Sequence, residues 1–181
     1  TRALSGDRES SGLNALLAAR LCGAARIVAL DVLDDKLALA RQLGATDTIN
    51  AADADAVAKV REATSGGADY AFEMVGSVKA MALAYRVTRR GGTTVSAGLS
   101  HPDHTFDLPH VSLVAEERTV KGSYVGSCVP LRDMPRYIAL YQQNRLPVDR
   151  LMSDRIGFDQ INAAFDRLAG GQVVRQILVP A

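Results

Sequence analysis

The sequence predicts an α/β fold in a single domain: a doubly wound parallel sheet with helices on both faces. Three observations carry that expectation. Between residues 12 and 98, short apolar or β-branched runs alternate with segments of helical period. The run Ile27-Val28-Ala29-Leu30 is apolar throughout, as suits a strand covered on both faces. Asp31 closes that run and follows Gly12 by nineteen positions. That is the spacing from the last glycine of a G-x-G-x-x-G turn to the acidic residue ending the second strand of a dinucleotide-binding unit.

Taken in order, Arg2 to Ser5 form at best a short first strand, so the first strand is expected to be poor or missing. Residues 1–11 read as a divergent N-terminal segment and residues 12–181 as the domain. Leu13, Leu16, Leu17 and Leu21 recur at helical spacing, and Gly23 ends that helix. Asp34-Asp35-Lys36 opens a second helix, with Asp34 placed to cap it, and Gly44 terminates it. Residues 46–50 make a short strand. Asp53 is placed to cap a third helix whose inner face is Ala56, Val57, Val60 and Ala63. Ala68 to Glu73 form the next strand, and Ser77 opens a helix carrying Met81, Leu83, Ala84 and Val87. Gly91-Gly92 turns into a strand from Thr93 to Gly98, and residues 99–110 read as a loop. Thr119 to Tyr124 form a strand, and Leu131 to Asn144 an amphipathic helix on Met134, Tyr137, Ile138 and Tyr141. Pro147 precedes an extended segment to Ile156, Phe158 to Leu168 a last helix, and Val173 to Val179 a final strand.

Composition narrows the function classes. A chain of 181 residues, 48% of them apolar, buries an ordinary core. A net charge of +1 gives no bulk attraction to nucleic acid or an anionic membrane. No apolar run approaches a membrane span, and the first residues lack the apolar core of a signal peptide. Cys22 and Cys128 form no C-x-x-C pair, so a reduced, cytoplasmic protein is expected.

The glycine turn is damaged. Counting back from Gly12, the first two glycines should stand at positions 7 and 9, which hold Asp7 and Glu9. Two carboxylates would then lie where a pyrophosphate needs bare backbone N–H groups. Asp31, in contrast, suits two ribose hydroxyls and would repel a 2′-phosphate, which favours NAD over NADP.

From Gly12 onward the chain resembles the cofactor-binding half of zinc-type alcohol dehydrogenases, of the medium-chain dehydrogenase/reductase family. Four stretches carry the resemblance: D-V-L-D-D-K-L-A-L-A-R-Q-L-G-A-T-D-T-I-N from Asp31, G-G-A-D-Y-A-F-E-M-V-G from Gly66, R-T-V-K-G-S-Y-V-G from Arg118, and I-N-A-A-F-D-R-L-A-G-G-Q-V-V-R-Q-I-L-V-P from Ile161. The resemblance implies a Rossmann-type domain that holds NAD, weakly or not at all here. Gly12 stands for the last glycine of the turn, Asp31 and Lys36 for the ribose contacts, and Val75 for the surface under adenine. Ala97 and the stretch Ser123 to Val125 stand for backbone groups that meet the nicotinamide carboxamide, and Arg175 for the arginine of the pyrophosphate. The family's catalytic zinc, its ligands and its proton relay belong to a separate catalytic domain ahead of this half, which this chain is expected to lack. It is therefore expected to turn over no alcohol or aldehyde alone. The resemblance also implies a homodimer through the Thr119–Tyr124 edge strand. Cys22 matches no zinc position and is expected to be a buried thiol.

Other chemistries find less support. His101, His104 and His110 with Asp103 and Asp107 lack a regular metal spacing. There is no Tyr-x-x-x-Lys, no G-x-x-x-x-G-K-[ST] and no G-x-S-x-G. A zinc-free quinone or enoyl reductase of the same superfamily stays open, as does a non-catalytic nucleotide-binding or assembly module. Asp7 and Glu9 favour the module.

Overall fold

The computed structural model describes residues 2–6 and 10–180. Its main sheet is built from β1 (Arg2–Gly6), β2 (Arg26–Asp31), β3 (Asp47–Asn50), β4 (Ala68–Glu73), β5 (Thr88–Ser96) and β6 (Thr119–Gly122). The strands are parallel and lie in the order β3-β2-β1-β4-β5-β6. Strand order reverses between β1 and β4, and such a reversal opens a crevice at the carboxyl ends of the strands. The first strand is neither poor nor missing: Arg2–Gly6 pairs with β2 on one side and β4 on the other. Its few apolar residues hid it, because central pairing rests on backbone groups that the side-chain pattern does not report.

Side chains of β2 alternate between two cores, which is why the run had to be apolar at every position. Ile27 and Ala29 pack with Leu13, Leu16 and Leu17 of α1 (Ser10–Leu21) and with Ala40 and Leu43 of α2 (Asp34–Leu43). Val28 and Leu30 pack on the other face with Ala56 and Val60 of α3 (Ala56–Ala63) and with Ala84 and Val87 of α4 (Val78–Val87). Gly23 and Gly44 end α1 and α2 at φ 76° and 113°, where a side chain would be strained.

The caps differ from expectation. Asp34 does not cap α2. The N-cap position is Leu33, whose N–H donates to Asp31 Oδ1 at 2.9 Å, while Asp34 accepts from the Asn50 side chain. Asp53 does not cap α3, which starts at Ala56; its carboxylate instead meets Lys59 Nζ at 2.6 Å. Cys22 is exposed, not buried, because α1 stops at Leu21 and the turn closed by Gly23 lifts it off the sheet. Gly91 and Gly92 lie within β5 rather than before it, at a register shift that carries pairing from Ala68–Thr88 to Tyr70–Thr93.

Beyond β5 the chain adds α5 (His110–Ala115), α6 (Pro130–Gln142), β7 (Asp154–Ile156), α7 (Ile161–Ala169) and β8 (Gln176–Leu178). The final strand is shorter than expected and joins β7 in a separate two-stranded parallel sheet. The apolar stripe of α6 is present but uncovered: Met134, Tyr137, Ile138 and Tyr141 are all exposed. Among the described residues no helix is long and apolar enough to cross a membrane.

Candidate functional site

The carboxyl ends of β4 and β5 are tied together by one side chain. Glu73 ends β4 and is 3% exposed. Its Oε1 accepts from the backbone N–H groups of Val75 and Gly76, each at 2.7 Å, and more distantly from Ser77. Its Oε2 accepts from the Ser96 hydroxyl at 3.0 Å. Its carbonyl accepts from Ala97 N–H at 2.9 Å. A buried carboxylate with this many donors is fully engaged, whereas Ser77, expected to cap α4, stands at the N-cap position without a side-chain cap bond.

The two loops then touch backbone to backbone. A Cβ on Gly76 would lie 2.2 Å from the Leu99 carbonyl oxygen, and one on Gly98 would lie 2.0 Å from the Gly76 nitrogen. Neither position admits a side chain without moving both loops. Gly98 is therefore set by this close approach, in addition to the strand end it marks.

Beside this rim a cavity of about 740 Å³ runs between the ends of β2 and β4 and the facing sides of α3 and α4. Asp31, Val32, Asp53, Val75, Gly76 and Lys79 contribute to its lining. Asp31 Oδ1 is oriented by the Leu33 N–H, which fixes the carboxylate at the end of β2. The volume falls within the range of about 300–1,000 Å³ of small-molecule and cofactor sites, and the cavity lies beside the strand-order reversal.

The structure brings some expected residues together and separates others. Asp31 and Val75 share the cavity. Gly12 is buried in the first turns of α1, as a glycine for close helix packing should be. Ala97 and Ser123 follow β5 and β6 at the same edge, where their N–H groups are held by the Glu73 and Ser96 carbonyls. Val125 is exposed in a short 3-10 turn at φ 50°. Lys36 is buried in the first turn of α2, not on a solvated face, and is not part of the cavity lining. Arg175 lines a different groove of about 350 Å³, with Ile156, Phe165 and Leu178. That terminal segment still reaches the end of β2, since a Cβ on Gly171 would come within 3.2 Å of Leu33. Asp7 and Glu9 lie outside the described residues. Glu73 was not singled out from the sequence, although an acid at a strand end just ahead of a glycine turn was the available signal.

Among the described residues no three His, Cys, Asp or Glu side chains gather to hold a metal ion. The His101 and His104 rings lie 5.3 Å apart on an exposed loop.

The strand order, the cleft at the reversal and the acid at the end of β2 define a Rossmann-type nucleotide-binding fold. The sequence pattern of zinc-binding dehydrogenases matches residues 12–143, and the chain belongs to that family. It is 34% identical to alcohol dehydrogenase 1 of Oryza sativa subsp. indica over 170 residues, 92% of this chain and 45% of that protein. Benzyl alcohol dehydrogenase from Acinetobacter calcoaceticus superposes with a TM-score of 0.95 at 32% identity, covering 100% of this chain and 50% of that one. An alcohol dehydrogenase zinc-binding domain protein from Burkholderia ambifaria gives 0.92 at 33% identity over 98% of this chain and 48% of its own. The chain thus spans about half the length of the relatives it matches.

Proposed function

We propose that this chain is the nicotinamide-cofactor-binding half of a zinc-type, NAD-dependent alcohol dehydrogenase. The observation that carries the reading is the common cavity of Asp31 and Val75 beside the rim that Glu73 locks. Asp31 would accept the adenosine ribose hydroxyls and Val75 would pack on adenine, with Lys36 supporting the ribose end. Because the N–H groups of Ala97 and Ser123 are already held, their carbonyls are what they offer the nicotinamide carboxamide, with the backbone at Val125 beside them. Gly12 would let α1 approach the pyrophosphate, and Arg175 would pair with it from the terminal segment.

When bound, NAD supplies the hydride acceptor; the residues of this chain supply position and exclusion of a 2′-phosphate. Among the described residues no group of three His, Cys, Asp or Glu side chains could hold a zinc ion. The alcohol or aldehyde, its zinc and its proton relay belong in this reading to a catalytic half of the longer enzyme, and turnover by this chain alone is not expected. A homodimer through β6 completes the proposal: Val120, Tyr124 and Val125 are exposed at the sheet edge.

Asp7 and Glu9 favour a second reading, a nucleotide-binding or assembly module that performs no chemistry. At an effective dielectric of about 20, one like charge at about 4 Å costs on the order of 4 kcal/mol, less when solvent reaches it. Half of that already exceeds a tenfold loss, since each 1.4 kcal/mol or so is tenfold. Calorimetry should therefore find NAD binding weaker than about 1 mM in the unmodified chain. Replacing Asp7 and Glu9 by glycine should tighten it at least about tenfold, and Asp31→Ala in that background should undo much of the gain. Micromolar affinity in the unmodified chain would show that the loop is misplaced. A double-glycine variant that still ignores NAD would leave the module as the better reading.

A further inference from the structure

A second cavity lies near the amino-terminal edge of the sheet and shares Arg86 with the lining of the larger one. It measures about 260 Å³ and is lined by Arg61 near the end of α3, Tyr85 and Arg86 near the end of α4, Phe106 and Asp107 of the following loop, and Arg118 just ahead of β6, among others. Three guanidinium groups thus converge on one small space that also has two aromatic side chains in its wall.

Their structural duties leave much of this charge available. The terminal carbonyls of α4 are already met: Ala84 by the Thr88 hydroxyl, Tyr85 by Arg118 Nη1 and by the Thr88 N–H, and Arg86 by Arg61 Nη2 at 3.0 Å. An anion approaching here meets N–H donors rather than open helix-end carbonyls. Neither Arg61 nor Arg86 forms an ion pair with any described residue. Arg118 is different: its side chain is 7% exposed, it pairs with Glu116 at 2.5 Å, and it lies 4.8 Å over the Tyr85 ring. Its Nε–H is buried without an acceptor. That donor is shielded from solvent, so Arg118 offers the cavity its charge rather than a hydrogen bond. Asp107 lines the cavity as its one carboxylate, so with Glu116 counted the three cations still outnumber the acids.

We propose that this cavity binds a small oxyanion carried on an apolar ring, of which an aromatic carboxylate is the simplest kind. The carboxylate sits between Arg61 and Arg86, where a planar fork of donors matches a planar acceptor, with the charge of Arg118 behind it. The ring lies against Phe106 and Tyr85, with Pro109 closing the wall. Arg86 also lines the cofactor cleft, but Arg61, Phe106 and Arg118 line this cavity and not the cleft, and the assignment does not depend on the chain binding NAD.

Benzoate titrated into the whole chain at low ionic strength, followed by calorimetry, tests the assignment. We expect saturable one-to-one binding that weakens as salt is raised, and no comparable binding of benzamide, which has the ring without the charge. The double variant Arg61→Gln with Arg86→Gln should bind benzoate roughly tenfold more weakly or worse, since it removes two charge-assisted contacts. Both side chains are exposed, so an unchanged circular dichroism spectrum would verify folding. Arg118 is left intact because it is buried against Tyr85. The proposal is overturned if benzoate does not bind, if benzamide matches it, or if the double variant binds as the parent does. It is equally overturned if Arg61→Gln alone, at a residue that lines this cavity and not the cleft, leaves benzoate binding unchanged. Inorganic phosphate binding as tightly as benzoate would overturn the part assigned to the aromatic wall.

Discussion

Removing the Glu73 carboxylate should loosen the rim of the cleft, and the size of the effect can be worked from its bonds. In Glu73→Ala, the Val75 and Gly76 N–H groups lose the acceptor they share at 2.7 Å, and Ser96 loses its own at 3.0 Å. A buried donor left unmet costs about 1–3 kcal/mol, so the two backbone donors, being partly buried, come to about 2–4 kcal/mol, while the Ser96 hydroxyl is free to turn elsewhere. Glu73→Gln is a milder change. Its amide oxygen can keep both backbone donors, while its NH2 faces a Ser96 hydroxyl that is free to turn and accept. What is lost is the ionic character of the bonds, about 1–2 kcal/mol in total. Urea unfolding of the three proteins measures both values. In heating experiments each kcal/mol corresponds to about 2–4 °C for a domain of this size. The reasoning fails if Glu73→Ala lies within about 0.5 kcal/mol of the parent, the usual range for an unremarkable surface change. It fails also if the glutamine variant is as unstable as the alanine one, because then the acceptor geometry would count for nothing.

Two further outcomes follow from the surface. Val120→Pro removes a backbone donor from β6 and puts a ring against an approaching strand, so light scattering should report monomer or aggregate; a dimer of unchanged size refutes the edge assignment. Asp133 is held down at about 2 by its bond with Arg132 and by the N–H of Val129 at the start of α6. A carboxyl whose folded value is depressed stabilises the fold above its ordinary range near 3.8, and that contribution fades as pH falls toward 2. Carboxyl NMR should find Asp133 titrating near the lower value and Arg132→Gln should raise it; an Asp133 already titrating near 3.8 in the parent contradicts the pairing.

The parts of the fold written in local pattern were legible, and the parts decided by distant pairing were not. The apolar run from Ile27 to Leu30 announced a two-sided strand because each of its side chains needs an apolar neighbour whichever way it points. Asp31 was legible because the strand, the helix before it and the turn after it fix its place along the chain. The starts of α2 and α4 were not, because neither Asp34 nor Ser77 makes a side-chain cap bond. The acids at the preceding strand ends instead hold the N–H groups of the turns leading in: Asp31 that of Leu33, and Glu73 those of Val75 and Gly76. The small second sheet was hidden for another reason. The strand between Val173 and Val179 was legible, but its partner was not, because Asp154 and Gln176 pair across more than twenty intervening residues and no local pattern reports that.

Periodicity also could not say what covers a face, and here the exposed residues divide by location. The cores on either side of β2 are satisfied within the chain, with Leu16, Val28, Leu43, Val60 and Val87 at 2% exposure or less. Val32, Leu33 and Tyr70 aside, the large uncovered apolar side chains lie beyond β5, among them Val120, Tyr124 and Val125 at and just beyond the β6 edge, Met134, Tyr137, Ile138 and Tyr141 on α6, and Phe158, Phe165 and Leu178 around the second sheet. Scattered exposed apolar residues are ordinary, but contiguous ones at an open strand edge or beside a two-stranded sheet are where another surface would dock. The Asp31 cleft is built from elements with self-sufficient cores, whereas most of the open apolar faces lie on the elements that follow β5. In the proposed reading those faces would meet a second copy and a catalytic half, so loss of such contacts should expose apolar surface without dismantling the cleft.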